Sequence, residues 1–406
     1  MHSTVMLEVS QAVQHVEAAA KLLPPTTVPL AESVGRILRE VIVAERDQPP
    51  FDRVMMDGIA IRHSAHSRDV YRRTATVYAG DAPVANLVDA DECIEVMTGA
   101  VLPAGADSVV PVEQLSADGD SISIDSAAKI AQGQYIHRRG SDHTLGTTLL
   151  KPGQLIGTAE VAVLASAGSA SVAVTRELKL AVVATGDELV PPGEAIAAHQ
   201  VRLSNGPALA SAAAGIGGCH ATLEHCPDAR DTLRDKLSRL LADNDIVVLS
   251  GGVSRGKADY VPEILDELGV AKLFHRVAQR PGKPLWFGHT DSCAVFGLPG
   301  NPVSTLVTFH RYVVPYIDLS LGRAARPAYR AQLATATQRL SRLTRFAPVH
   351  VADNGGLRVA TPLGINTSGD FTALAATAGF VEIAPGDGDL DAGLALPFFP
   401  WRRGSG

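Results

Sequence analysis

Cysteine is scarce in this chain: Cys93, Cys219, Cys226 and Cys293 are the four among 406 residues, and no two form a C-x-x-C pair. No disulfide framework is expected, and the usage fits a reducing cytoplasm. Cys219-His220 and His225-Cys226 invite a zinc reading, but all four sit around one short predicted strand whose alternation sends neighbours to opposite faces. Long apolar runs are missing too. Nothing approaches the roughly 18 residues a membrane helix needs, and no basic segment followed by an apolar stretch opens the chain. A soluble, unsecreted protein with no membrane partner is expected. Nor is positive charge in excess, since 36 Lys and Arg face 43 Asp and Glu for a net charge of −7. This argues against nucleic acid as the main partner, and any anionic ligand has to be met by local cations. Internal repeats and low-complexity tracts are also absent.

Apolar material is ample. Hydrophobic residues make up 46% and charged residues 19%, enough for real cores. At roughly 150 residues per domain, the length suggests two to four units. Val13, Val16, Ala20 and Leu23 at helical spacing, stopped by Pro24-Pro25, read as an amphipathic helix, with a second short helix expected around Glu32 to Arg39. From about Gln48 to His137, short runs such as Thr74 to Tyr78 and Ile122 to Ile124 between Gly and Pro turns read as a small β domain. A small-residue helix is expected near Ala159 to Ala167. Strands near 179–185, 219–224, 245–250 and 292–297 then alternate with helical stretches, which implies a mostly parallel sheet covered on both faces. Asp228 can cap one of those helices, whose stripe is Leu233, Leu237, Leu240 and Leu241. After Arg323 the texture turns β again, for a C-terminal β domain of roughly 80 residues.

Several motifs ask for one ligand chemistry. The apolar run Ile246 to Leu249 empties into Ser250-Gly251-Gly252-Val253-Ser254, as a buried strand does when it hands over to an anion-binding loop. Asp259 closes that loop before the apolar pattern Val261, Ile264, Leu265 and Leu268; a tight strand-to-helix turn with Asp259 as N-cap suits the same residues. Ala184-Thr185-Gly186-Asp187-Glu188 sets a carboxylate at the sheet's carboxyl edge, where open α/β folds bind ligands, so Glu188 is either a metal ligand or a solvated turn residue. Arg280-Pro281-Gly282-Lys283-Pro284 holds two cations suited to an oxyanion, or is a solvated basic turn. In Gly297 to Ser304, Asn301 as N-cap and Pro302 at the first helical position are good helix-start chemistry in their own right, and the unpaired N–H groups there can hold an anion with help from Ser304. Asp57 in Met-Asp-Gly and Asp142 in Arg-Gly-Ser-Asp are ordinary turn aspartates, or carboxylates that hold Mg²⁺ against phosphate oxygens. Thr98 in Thr-Gly-Ala offers a hydroxyl and backbone donors.

Taken in this order, PPFDRVMMDG, MTGAVLPAGAD, RRGSD, ATGDEL, LSGGVSRGKADY, RPGKP and GLPGNPVS resemble the MoeA and gephyrin E-domain family of molybdopterin molybdenumtransferases over nearly the whole chain. The resemblance implies a multidomain α/β plus β fold: a central doubly wound α/β domain with a mostly parallel sheet, a β-rich insertion, a C-terminal β-barrel-like domain and an elongated helical linker domain. The corresponding boundaries are 1–47 with 138–175 for the linker and dimerisation domain, 48–137 for the β-rich domain, 176–323 for the molybdopterin-binding domain and 324–406 for the C-terminal domain. It further implies a Mg²⁺-dependent enzyme that inserts molybdate into adenylylated molybdopterin and releases AMP. A homodimer with the cleft between subunits and a transient contact with the adenylyltransferase are implied as well.

Carried over by position, the resemblance puts Asp57, Thr98, Asp142, Glu188, Asp228 and Asp259 around the cleft, with Glu188 and Asp259 handling the metal. Lys283 and Arg280 then hold molybdate or phosphate, and Ser250, Gly251, Gly252 and Ser254 cradle the pterin phosphate. Pro299, Gly300, Pro302 and Ser304 shape the adjoining wall, and Ser368 is an oxyanion contact. Arg342 and Arg345 both compete for the family's C-terminal arginine. The chain departs from the family where Arg280 replaces a usual lysine, where Arg53-Val54-Met55 stands for Asn-Ser-Ala, and at Ile59. Two other functions are compatible with these motifs: a non-catalytic pterin-binding scaffold, and a nucleotide pyrophosphatase on the same α/β domain.

Overall fold

The computed structural model describes residues 6–65, 68–82, 86–252, 260–324, 328–364, 369–370 and 372–402. Ser254, Asp259 and Ser368 lie outside these residues. Two compact units form, one from Met1–Glu40, Pro152–Thr158 and Ser171–Gly406, the other from Val41–Lys151 and Ala159–Ala170. The class is the expected multidomain α/β plus β.

The first unit contains a six-stranded sheet in the order Cys219–Cys226, Leu178–Thr185, Ile246–Ser250, Ala294–Leu298, Trp286–His289, Ala271–His275. Its first four strands are the expected ones and run parallel. The last two are antiparallel additions that the sequence reading missed, because Ala271, Lys272 and Leu273 are all exposed and give no apolar run. They matter for the site. His275 pairs with Trp286 and Trp286 with Gly297, so the 276–285 connection emerges at the same edge as the ends of the parallel strands.

Alternation fills both faces of this sheet. Leu180, Val182, Ile246, Val248 and Phe296 pack with Val9, Val16, Leu209, Val303 and Ile317. Ala181, Val183, Val247, Leu249 and Val295 pack on the other side with Leu233, Leu237, Ile264 and Leu265. Each fully buried Val or Leu contributes about 1.5–3 kcal/mol relative to exposure, so this two-sided core dominates the unit's stability.

Local expectations need correction at four places. The N-terminal helix is Val9–Ala19 with Val9, Ala12 and Val16 buried; it stops short of Leu23, which is buried by the chain that follows. No helix spans Glu32 to Arg39: after a single 3-10 turn at Leu30–Glu32, adjacent Ile37 and Leu38 are both buried in extended bridges to Leu155 and Val174, a two-sided burial that a surface helix does not give. The helix Arg230–Asp243 is N-capped at Ala229, not Asp228, because the Asp228 N–H is tied into the preceding loop by Asp187 Oδ1 at 3.1 Å. Likewise Tyr260 takes the N-cap of Val261–Glu267, which displaces the cap reading of Asp259. Asn301 and Pro302 do begin the helix Pro302–Thr308 as expected.

The C-terminal strands close into a barrel. Thr344–Asn354 pairs along its second half with Leu357–Pro362 and along its first half with Gly379–Ile383, and Arg330–Leu333 and Ala395–Pro400 complete the ring. Ala331, Leu333, Val349, Ala360, Val381, Ile383 and Phe398 fill it. Closure removes the exposed edges that a five-stranded open sheet would present.

The second unit carries its own six-stranded sheet, ordered Ser108–Pro111, Gly58–Ile61, Glu92–Val96, Val70–Val77, Ser121–Ile124, Leu115–Asp118. Ala60, Ile94, Val96 and Val109 line one face; Ile59, Ile61, Tyr71, Cys93 and Val110 line the other.

Closure of the barrel depends on Gly379, where an added Cβ would sit 2.2 Å from the Phe399 carbonyl oxygen. Gly379→Ala is expected to destabilise the protein by about 1–3 kcal/mol, as overpacking does. Thermal melting checks this, and an unchanged midpoint would show that the ring relaxes around the methyl group.

Candidate active site

Three loops converge at the carboxyl edge of the first unit's sheet. Gly251 and Gly252, residues 279–284, and Pro299, Gly300, Asn301 and Ser304, with Leu343, line a cleft of about 580 Å³. Seven of the expected ligand contacts meet there: Gly251, Gly252, Arg280, Lys283, Pro299, Gly300 and Ser304. Arg280 and Lys283 are exposed, whereas Ser304 is buried in the first turn of its helix. Among the described residues no carboxylate lines this cleft. Backbone donors, a hydroxyl and two cations make it a site for oxyanions.

A buried scaffold sets the positions of these loops. Gln279 is 1% exposed; its Nε2 donates to the Gly282 carbonyl at 2.9 Å, and its Oε1 accepts from the Tyr312 hydroxyl. Burial pushes the Tyr312 phenol well above its usual value, so it remains a donor at any physiological pH. Gly282 has φ +91, and a Cβ there would meet Thr308 Cγ2 at 2.5 Å, so the turn between the two cations admits no larger residue without a shift. Asn205 is the second support: its Nδ2 donates to Gly300 O at 2.7 Å, Ser250 Oγ at 3.1 Å and Thr305 Oγ1 at 3.3 Å. Ser250 thus lies beneath the cleft as a buried acceptor rather than on its wall. Thr305 Oγ1 in turn donates to the Pro299 carbonyl.

Arg280 stands in register with Arg345, since Gln279–Arg280 pairs with Thr344–Arg345. Burial and then the neighbouring Arg280 guanidinium pull the Arg345 pKa below its usual value, and Arg345 donates to Gln338 O at 2.8 Å. Of the two candidates for a C-terminal arginine, Arg345 is therefore the one beside Arg280. Like charges held this close favour an anion between or beside them.

Further along the same edge, Glu188 is exposed, its carboxylate folded over Gly186, and Asp187 Oδ1 holds the Asp228 N–H. Pro302 opens the helix that follows the cleft but is not part of the wall. Thr185 Oγ1 is buried without a hydrogen-bond partner among the described residues. Burial pushes the thiols of Cys93, Cys219 and Cys293 up to about 12, which keeps them protonated and unreactive at neutral pH.

In the second unit, two independently chosen motif residues meet. Thr98 donates to Asp57 Oδ1 from its backbone N–H at 2.6 Å and from its hydroxyl at 2.7 Å. The amide, then the hydroxyl, hold the Asp57 carboxyl below the usual aspartate range against a small opposing effect of burial. Asp142 hangs on a different partner, with Oδ1 2.8 Å from His137 Nε2. Its loop is pinned by acidic residues that the sequence reading did not single out. Asp52 takes the Arg138 guanidinium at 2.6 Å and the Arg139 N–H at 2.8 Å, and Asp47 takes Arg139 Nε at 2.8 Å.

Known proteins resemble this chain along nearly its whole length. Residues 7–168 match the MoeA N-terminal region (domain I and II), residues 181–319 a probable molybdopterin binding domain, and residues 330–401 the MoeA C-terminal region (domain IV). The chain is 35% identical over 401 residues to the molybdopterin molybdenumtransferase of Synechocystis sp., covering 98% of this chain and 100% of that protein. It belongs to the molybdopterin molybdenumtransferase family. A second relative of that name, from Staphylococcus aureus strain MRSA252, is 32% identical over 95% of this chain and 94% of its own length. The crystal structure of a molybdopterin biosynthesis MoeA protein from Pyrococcus horikosii superposes with a TM-score of 0.83 at 30% identity, covering 98% of this chain and 100% of that one.

The buried supports of the cleft were not legible in the motifs. Asn205 had a faint signal, a polar residue just before the apolar pair Leu209 and Ala213, yet that pattern announces a helix start and not a clamp. Tyr312 had none, since it lies in a helical stretch that reads only as core.

Two outcomes are expected here. Asn205→Ala leaves three acceptors without their shared donor, so it should lower stability by about 1–3 kcal/mol and weaken oxyanion binding in the cleft; calorimetric titration with phosphate checks the second effect. For Asp57, the folded pKa is depressed, so the Thr98 clamp is fully present above the ordinary aspartate value near 4 and is lost as pH falls through the lower folded value. The Thr98 amide resonance should hold steady from pH 8 to about 5 and shift only below about 4; a shift centred above 5 contradicts the clamp.

Proposed function

We propose that this family member transfers molybdate to adenylylated molybdopterin in a Mg²⁺-dependent reaction that releases AMP and leaves molybdenum on the pterin. The observation that carries the reading is the cationic, glycine-lined cleft on a chain of this family. Molybdate and the substrate's phosphates repel each other, and at an effective dielectric of 20 two unit charges 4 Å apart interact by about 4 kcal/mol. Lys283 as a point charge and Arg280 as a planar fork offset that repulsion, with Arg345 adding a third cation behind Arg280. The backbone N–H of Gly252 and the Ser304 hydroxyl hold the phosphate end, Gly251 giving close approach without a Cβ, with Ser254 and Ser368 as further hydroxyl contacts.

Magnesium fits the donor set in a limited way. The described residues contain no group of three His, Cys, Asp or Glu able to hold an ion by themselves. A hard cation that keeps most of its shell on phosphate oxygens and water needs only one or two carboxylates. Glu188, exposed at the strand edge, and Asp259 are assigned that role. When bound, the ion supplies charge neutralisation and a template between phosphate oxygens. Asp57 and Asp142 orient the substrate, Thr98 through Asp57, and Asp228 and Pro299 shape the surround, with Pro302 starting the helix behind it. No covalent nucleophile is required, because positioned groups and electrostatic stabilisation suffice for cleavage of a phosphoanhydride. The reading carries with it a cytoplasmic homodimer, transient contact with the adenylyltransferase, and the fourfold division of the chain at 48, 138, 176 and 324.

AMP release from adenylylated molybdopterin with Mg²⁺ should depend on molybdate. Lys283→Ala should raise the molybdate concentration needed far more than the pterin concentration, and Glu188→Ala should abolish metal-dependent turnover with the fold intact. Release indifferent to molybdate would mean a pyrophosphatase, and binding without release a scaffold.

A further inference from the structure

The Asp142 loop holds a side-chain relay. His137 and Arg53 face each other directly across an antiparallel pair, Ile136–His137 against Arg53–Val54. Arg53 approaches His137 Nδ1 at 3.0 Å, and His137 Nε2 approaches Asp142 Oδ1 at 2.8 Å. A guanidinium only donates, so Nδ1 has to present its lone pair, and the ring's one proton is then on Nε2 and aimed at the carboxylate. We propose that His137 is a positioning residue for Asp142, locked as the neutral Nε2–H tautomer by Arg53. It rests on the role given to Asp142 above.

The geometry excludes the more familiar use of such a histidine. A general base needs a free ring lone pair, and here the one lone pair of the neutral ring is taken by Arg53. What remains is orientation. The ring, 27% exposed, holds one oxygen of a carboxylate that is 48% exposed, and no described residue is bonded to the other oxygen. Asp142 is therefore fixed in direction yet open to substrate or a cation. The Asp142 backbone is fixed as well, because the Asp142 N–H and the His143 N–H both donate to Gln48 O, at 2.9 and 3.2 Å.

Two readouts on the full-length enzyme test this. In ¹⁵N-histidine-labelled protein, His137, assigned by its loss in His137→Gln, should show a protonated Nε2 and an unprotonated Nδ1, and Arg53→Gln should release that preference. A protonated Nδ1 overturns the proposal. In kinetics, His137→Phe should lower kcat for molybdate-dependent AMP release about tenfold, the scale of one lost charge-assisted hydrogen bond, with KM for the adenylylated substrate nearly unchanged. His137→Gln, which keeps a donor at the Nε2 position, should restore most of the rate. Wild-type kcat in His137→Phe overturns the positioning role. A wild-type enzyme that releases no AMP in response to molybdate overturns the functional reading instead, while the spectrum still decides the relay.

Discussion

The parallel register of three strands is the constraint on which the site depends. Ala184 is level with Ser250 and Ser250 with Leu298, so the turns that follow all open at one edge of the sheet. The antiparallel pair brings the fourth loop, with Arg280 and Lys283, to that edge from the other direction. A one-residue slip in this register would exchange side chains between the two differently packed layers, so the two hydrophobic layers that hold the sheet also hold the loops in line.

On that frame the described residues of the cleft are held by buried side chains. The cations are placed by a buried amide and phenol, Gln279 and Tyr312, and the glycine loops by a single amide, Asn205. A buried polar group earns stability only when fully paired, and here the pairing partners are the very backbone atoms that shape the cleft. Stability and preorganisation are thus the same contacts. Oxyanion chemistry gains from this, because donors fixed before binding need no reorganisation when charge arrives.

The second unit solves a different problem, holding carboxylates in the open. Asp57 is clamped by Thr98, Asp142 by His137, and the intervening loop by Asp47 and Asp52 on two arginines. Surface ion pairs of this kind contribute little stability singly. Their effect is to fix the direction of each carboxylate.

The sequence by itself determined the layers and the strands whose ends form the cleft. The apolar runs at 178–185 and 246–250 read as strands covered on both faces, and the glycine, hydroxyl and cation motifs at their ends suited an anion-binding edge or ordinary turns equally. Those signals are local: period, propensity and turn chemistry act over a few residues. What the tertiary structure decided was every pairing across distance. The edge strand Ala271–His275 carried no apolar pattern, Asn205 and Tyr312 looked like helix start and core, and His137 looked like one more polar residue in a basic turn. Each acquires its role from a partner 5 to 100 positions away, as in His137 with Asp142 and Asn205 with Thr305. Hydrogen bonds of that kind depend on where two segments come to lie, and that is fixed by the packing of the cores beneath them.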